Sequence, residues 1–321
     1  MTSARAGILL AAGAVWLSAA GMMRAGGAVA DLTPADAQAA ATEATRIDAG
    51  SSSRETRRKA LAALPLDRIP EPQRQAVAAC LKSATLYRRL PVETVVCDAE
   101  LLDFALEKPE AIVDIWRVLG ISRLALDPAG PGQWRLSDGY GTVGVLRQIH
   151  AERTGRGGLL VFHGKGAYTG PLSPKNLTGS CVILLRHSPA MPAVDGRERQ
   201  MVQIDTFLDV DGVGLEIVTR TLQPLIVRSA ASNLHEICLF VSTLSDSARS
   251  NPEGVALLAA RLTQTQPADR QALAAIARRS ARNAAGDRLP AAVDVAAVGR
   301  LESELASRWL SADELDLLQQ K

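Results

Sequence analysis

The sequence predicts an α+β fold in which an antiparallel sheet packs on a C-terminal amphipathic helix, with Ala-rich helical segments before and after. Three observations point there. Apolar and polar residues alternate with period two through most of the stretch from Gln133 to Val210. The breaks between these runs are polar and carry no helical pattern, so neighbouring strands can join only as antiparallel pairs. After Asp211-Gly212 the apolar period changes to about 3.6, the repeat of a helix.

Five runs read as strands: Gln133–Ser137, Gly141–Ala151, Gly158–Ala167, Thr178–Ser188 and Gln200–Val210. In the second, Val143, Val145 and Ile149 fall on one face, and Leu146, Gln148 and His150 on the other. Leu159, Val161 and His163 share a face of the third. Cys181, Ile183, Leu185 and His187 share one in the fourth, and Val202, Ile204, Thr206, Leu208 and Val210 in the fifth. Apolar residues occupy both faces, so the sheet needs two covers, or a cover and a ligand. Asp127-Pro128-Ala129-Gly130-Pro131-Gly132 is the strongest loop signal in the chain. The connection Tyr168–Leu177, with two Pro residues, is long enough to overhang one end of the sheet.

Before the sheet, helices are expected from Thr33-Pro34, over Ser53–Leu64 with Ser52 and Glu55 at capping-box spacing, and over Glu71–Arg88 until Pro91. Ala99–Leu106 and Pro109–Leu119 follow. In the last, Ile112, Ile115, Trp116 and Leu119 form one apolar stripe, and Gly120 stops it. After the sheet, Leu215–Leu222 leads to Pro224. A second helix starts near Asn233, with Leu234, Ile237, Cys238, Val241 and Leu244 on one face. Asn251-Pro252 caps a further helix through Leu262. From Pro267 the chain reads as an exposed helical arm, interrupted at Gly286–Pro290 and recapped at Ser311-x-x-Glu314.

Residues 1–30 have the form of an export signal. Arg5 precedes an apolar run from Ala6 to Met23, and Ala28-Val29-Ala30 is a small-x-small cleavage site. Retention as a membrane anchor is the alternative. The expected organisation is then 1–30 signal peptide, 31–120 helical region, 121–265 antiparallel α+β domain and 266–321 helical tail. Export to the periplasm or cell envelope follows from that reading. Of 321 residues, 47% are hydrophobic but only 3% aromatic, so the core must be built from Ala, Leu, Val and Ile. With 36 basic against 34 acidic residues, nothing pulls the chain toward nucleic acid. Cys80, Cys97, Cys181 and Cys238 lack metal-site spacing; Cys80 and Cys97 could bridge, but buried thiols are the simpler reading.

No motif for catalysis emerges, and none for a cofactor or metal. Gly139-Tyr-Gly141-Thr-Val-Gly144 matches G-x-G-x-x-G, but no helix follows to receive a phosphate, so it reads as a glycine-rich hairpin. Asp205, Asp209, Asp211-Gly212 and Glu216 lack Ca²⁺-loop spacing and read as a turn and helix start. His163 and His187 might meet if their strands pair, although zinc needs a third ligand that is not evident. Neither Gly-x-Ser-x-Gly nor Ser-x-x-Lys occurs.

The strand series from Gln133 to Val210 and the capped helix Asn233–Leu244 resemble a START-like (helix-grip) domain, across roughly Ile121 to Leu262. That family curves an antiparallel sheet around a long C-terminal helix and encloses an apolar ligand or lipid. The resemblance implies a non-catalytic binding protein with its ligand between sheet and helix. Arg147, His163, Arg186 and His187, polar residues on otherwise apolar faces, could orient a ligand head group or simply reach solvent. One departure is the break at Leu215–Leu222 and Pro224, where the family's helix follows its last strand directly. The alternative reading is an envelope scaffold whose C-terminal helices bind a protein partner.

Overall fold

The computed structural model describes residues 50–154, 157–169, 177–211, 215–285, 296–311 and 313–315, with side chains placed from Ala230 onward in the long helix and from Arg300 in the last. The signal-like segment, the helix opened by Thr33-Pro34, most of the Tyr168–Leu177 connection and the break at Gly286–Pro290 lie outside the described residues.

Eight strands form one curved antiparallel sheet, and the fold is α+β as expected. They are β1 (Leu86–Arg89), β2 (Glu93–Val96), β3 (Ala125–Gly130), β4 (Gln133–Ser137), β5 (Thr142–Thr154), β6 (Gly157–Tyr168), β7 (Leu177–Pro189) and β8 (Arg199–Asp211). The spatial order is β1-β8-β7-β6-β5-β4-β3, and β2 pairs with the other end of the β8 edge that β1 occupies. The meander β4 to β8 needs no crossover, because each strand turns back beside its predecessor.

Three strands correct the sequence reading. The helix expected to run through Arg88 ends at Ser83, and Leu86–Arg89 pairs with Leu208 to Asp205 instead. Tyr87 lands beside Phe207 with ring centroids 4.9 Å apart, a cross-strand aromatic contact that outweighs the helical propensity of the run. β2 follows directly and was also missed. β3 lies inside what reads as a loop; it tolerates Pro128 because it is the outer strand of the sheet, where a missing N–H breaks no ladder.

Alternation in β5 is interrupted by a bulge between Gln148 and His150. Ile149 is the extra residue, and beyond it the facing of every side chain is exchanged. His150 therefore shares a face with Val143, Val145 and Arg147, not with Leu146 as the unbroken alternation suggests. Two glycines permit the strong bend of the central strands. A Cβ on Gly144 would lie 2.7 Å from the Lys165 carbonyl oxygen, and one on Gly179 would lie 2.6 Å from that of Asp209. Only a residue without a side chain allows such close approach of neighbouring strands.

Helices cover both faces. On one lie α1 (Arg54–Ala62) and α2 (Glu71–Ser83), which bury Ala60, Val77 and Cys80 against Val161, Val182, Leu184 and Phe207. The cap of α1 is Ser53, one residue later than expected; its hydroxyl accepts from the Thr56 N–H at 3.2 Å. On the opposite face lie α3 (Ala99–Glu107), α4 (Pro109–Val118), α5 (Leu215–Ser250), α6 (Pro252–Arg261), α7 (Pro267–Ala285) and α8 (Ala296–Ala306). The α4 stripe is buried as expected, as are Leu234, Ile237, Cys238, Val241 and Leu244 of α5. The helix break expected at Pro224 is absent. α5 runs unbroken for 36 residues and begins only three residues after β8, so one lost hydrogen bond does not interrupt a helix this long.

The C-terminal segment is not an exposed arm. Leu273, Ile276, Leu301, Leu305 and Trp309 belong to the same core as the sheet and α5. Phe240 joins them: its ring stands 5.7 Å from Trp116 and 5.6 Å from Trp309, so α4, α5 and the end of the chain meet at one aromatic cluster. The expected box at Ser311 and Glu314 forms, with the Ser311 N–H donating to Glu314 Oε2 at 3.0 Å. All four cysteines are free and buried. Cys80 and Cys97 occupy cores on opposite sides of the sheet, which excludes the bridge between them.

Phe240→Ala empties the centre of the aromatic cluster and should cost about 3–5 kcal/mol in urea denaturation. Val143→Ala, on an exposed strand position, should stay within about 0.5 kcal/mol of the parent chain.

Candidate functional site

The register of β5 to β8 decides where the polar strand residues go. On the face covered by α1 and α2, Arg147 stands opposite His163, and His163 opposite Val182. Arg186, on the same face, stands between Leu159 and Gln203. His187 stands opposite Gly158 on the other face. The strands of His163 and His187 do pair, but the two imidazoles point to opposite sides of the sheet. A two-histidine site is therefore impossible, and the four expected head-group residues do not converge.

Each is also occupied or dry. The Arg147 guanidinium donates to Gln133 Oε1 from Nε at 3.1 Å and Nη2 at 2.6 Å. His163 is buried with no hydrogen-bond partner at Nε2. Burial lowers its pKa to about 4, with Lys165 and Arg147 adding like charge, so it is a neutral core imidazole at neutral pH. His187 lies over Gly158, where a Cβ would fall 2.5 Å from Nε2; burial lowers its pKa against an opposing pull from Asp103.

Arg186 leads to a cluster that sequence reasoning missed. Asp205, fully buried in the middle of β8, accepts from Arg89 Nε at 2.9 Å and Arg89 Nη2 at 3.1 Å. It also accepts from Tyr87 Oη at 2.6 Å and from Arg186 Nη2. Burial and the bond to Asp205 push the Tyr87 hydroxyl up to about 12. The carboxylate thus ties β1 and β7 to β8. Asp205 belongs to no turn, and neither does Asp209, which accepts from Ser83 Oγ at 2.6 Å at the end of α2. A carboxylate at mid-strand in the Gln200–Val210 run was the available signal; its partners Tyr87 and Arg89 were hidden in an unrecognised strand. The cluster is satisfied internally and works as a fastening.

The α5 face offers a different geometry. From Leu160 and Phe162 across Ile183, Leu185, Val202 and Ile204 it is filled by side chains that pack with Leu234, Ile237, Phe240, Val241 and Leu244. Toward the other end the strands themselves carry glycines on this face. Gly144, Gly166 and Gly179 stand side by side in one cross-strand row that ends at Val210. The neighbouring row holds Leu146, Gly164, Cys181 and Leu208. On the far side Thr142, Tyr168 and Leu177 are buried, and the three glycines between are partly buried. The result is a row of peptide groups without side chains, with Tyr168 in the row beside it.

Burial raises the pKa of Cys80, Cys97, Cys181 and Cys238, holding each as an unreactive thiol. Among the described residues no three His, Cys, Asp or Glu side chains gather as metal ligands, and no helix is long and apolar enough to cross a membrane. No protein-family model and no curated protein matches the chain. A solved structure of an uncharacterised protein from Rhizobium leguminosarum is similar at 13% identity, over 48% of this chain and 95% of that one, with a TM-score of 0.28.

Replacing Asp205 with Asn should cost about 3 kcal/mol, read from chemical denaturation, because both arginines lose a buried counter-charge. For His163 the folded pKa lies below the ordinary 6.5, so the unfolded chain takes up the extra proton between about pH 4 and 6.5. Its contribution is fully present above that window and falls as pH drops, by on the order of 3 kcal/mol. His163→Gln should flatten this part of the stability–pH curve relative to the parent.

Proposed function

We propose that the chain is an exported, non-catalytic protein that holds an apolar small molecule or lipid between the sheet and α5, over the glycine row. One observation carries the reading: Gly144, Gly166 and Gly179 set a row of partly buried peptide groups without side chains among buried neighbours, and we read that row as the floor of a trough. Apolar walls with few polar groups suit an acyl chain or a fused-ring molecule, whose burial contributes roughly 25 cal/mol per Å². Tyr168 and Thr142 are polar side chains in the row beside the trough; Arg147, His163 and Arg186 lie on the other face. The scaffold reading draws no support from the C-terminal helices, whose apolar faces are used within the molecule.

Organic extraction of the purified full chain, followed by mass spectrometry, should yield a co-purified apolar compound. A fluorescent fatty acid should bind saturably, and Gly166→Val, which stands a side chain in the trough, should weaken it about tenfold while the circular dichroism spectrum is retained. An empty extract together with no saturable binding would overturn the reading. An intact mass beginning at Asp31 in the same preparation tests the export half, which rests on residues 1–30.

A further inference from the structure

At the β3 edge, away from the glycine row, a cleft of about 520 Å³ opens between the β3–β4 hairpin, the end of α4 and the loop ahead of α7. Arg117, Ala125, Asp127, Pro128, Arg135, Gln264 and Gln266 line it. Its volume lies in the range of small-molecule sites, roughly 300–1,000 Å³.

The charges in this cleft are unspent. Most arginines of the described chain are engaged: Arg68, Arg89, Arg153, Arg186, Arg278 and Arg279, for example, all pair with carboxylates. Among the described residues, Arg117 and Arg135 make neither a hydrogen bond nor an ion pair. Asp127 stands directly opposite Arg135 in the β3–β4 register, yet the two do not bond. The loop is held in place from beneath. Asp114, buried in α4, accepts from the Gln264 N–H at 2.7 Å, the Thr265 N–H at 2.9 Å and Thr265 Oγ1 at 3.0 Å, while Leu262 and Thr265 are buried. The two glutamine amides are thereby brought to the cleft on a fixed backbone, which lowers the ordering cost of binding.

We infer that this cleft binds a small carboxylate that also carries a hydroxyl or ammonium donor. Two guanidinium groups offer planar forks that match carboxylate oxygens. Asp127 adds a negative charge that a plain polyanion would oppose and that a donor group would satisfy. A simple cation would instead meet two unneutralised arginines. The glutamine amides supply both donors and acceptors to the remaining oxygens. The inference is independent of the apolar trough, since no residue is shared.

Calorimetric titration of the full chain with L-glutamate, L-malate, succinate and inorganic phosphate tests it. Glutamate or malate should bind saturably and about tenfold or more tightly than succinate, which has no donor. Arg117→Gln and Arg135→Gln should each weaken that binding about tenfold, and Asp127→Asn should remove the preference over succinate. Arg117 and Arg135 are exposed and Asp127 is half-buried at the sheet edge, so the variants keep the fold. No saturable binding of glutamate or malate at millimolar concentration would overturn the proposal. So would unchanged binding by the Arg117→Gln, Arg135→Gln double variant, or succinate and phosphate binding as well as the donor-bearing acids.

Discussion

Strands β6, β7 and β8 send alternate side chains into two separate hydrophobic layers, so a slip of one residue would exchange both layers at once. Cys181, Ile183 and Leu185 would leave the α5 core, while Val182 and Leu184 would leave the core beneath α1 and α2. Long paired strands, 12 or 13 residues each, make such a slip expensive everywhere along their length. The two devices that adjust the ladder serve the same constraint. The bulge at Ile149 changes which face the end of β5 presents, and the glycines at 144 and 179 let the strands bend without collision.

Burial on both sides also settles what polar groups on the sheet can do. Asp205 and His163 sit where the sheet is buried and have no solvent to reach, so Asp205 is held by two arginines and a tyrosine, and His163 stays neutral. Such groups are consumed by the fold. The two proposed sites lie where side chains are absent or uncommitted: on the α5 face at the glycine row, and at the β3 edge, where two arginines have no partner among the described residues. The first suits an apolar ligand and the second a charged one, and they stand on different parts of the sheet.

The central meander was legible because alternation in β5 to β8 is strong and the intervening stretches carry no helix pattern. The amphipathic stripes of α4 and of the second half of α5 were legible for the same reason. β1, β2 and β3 were not. Four-residue strands are too short to show a period, and the sequence Asp127-Pro128-Ala129-Gly130 has the chemistry of a turn. Pro224 carries a strong helix-breaking signal, yet it sits inside a continuous helix. The C-terminal helices looked exposed because they are rich in Ala and Arg. Small alanines let α7 approach α6 and α5 closely, and the arginines pair outward with Glu100 and Glu253.

Local sequence by itself determined the α+β class, the antiparallel sense of the meander and the inward faces of β6 to β8, α4 and the second half of α5, because these follow from periodicity and connection length. Tertiary structure alone decided the strand partners, and through them everything about the candidate sites. Whether His163 and His187 meet depends on register, and they do not. Whether Arg186 is free depends on Asp205, 19 residues away along the chain, and it is bound. Three glycines that look unrelated at 144, 166 and 179 become one row only when three strands lie side by side. Contact across strands is a property of pairing in space, and spacing along a single chain does not encode it.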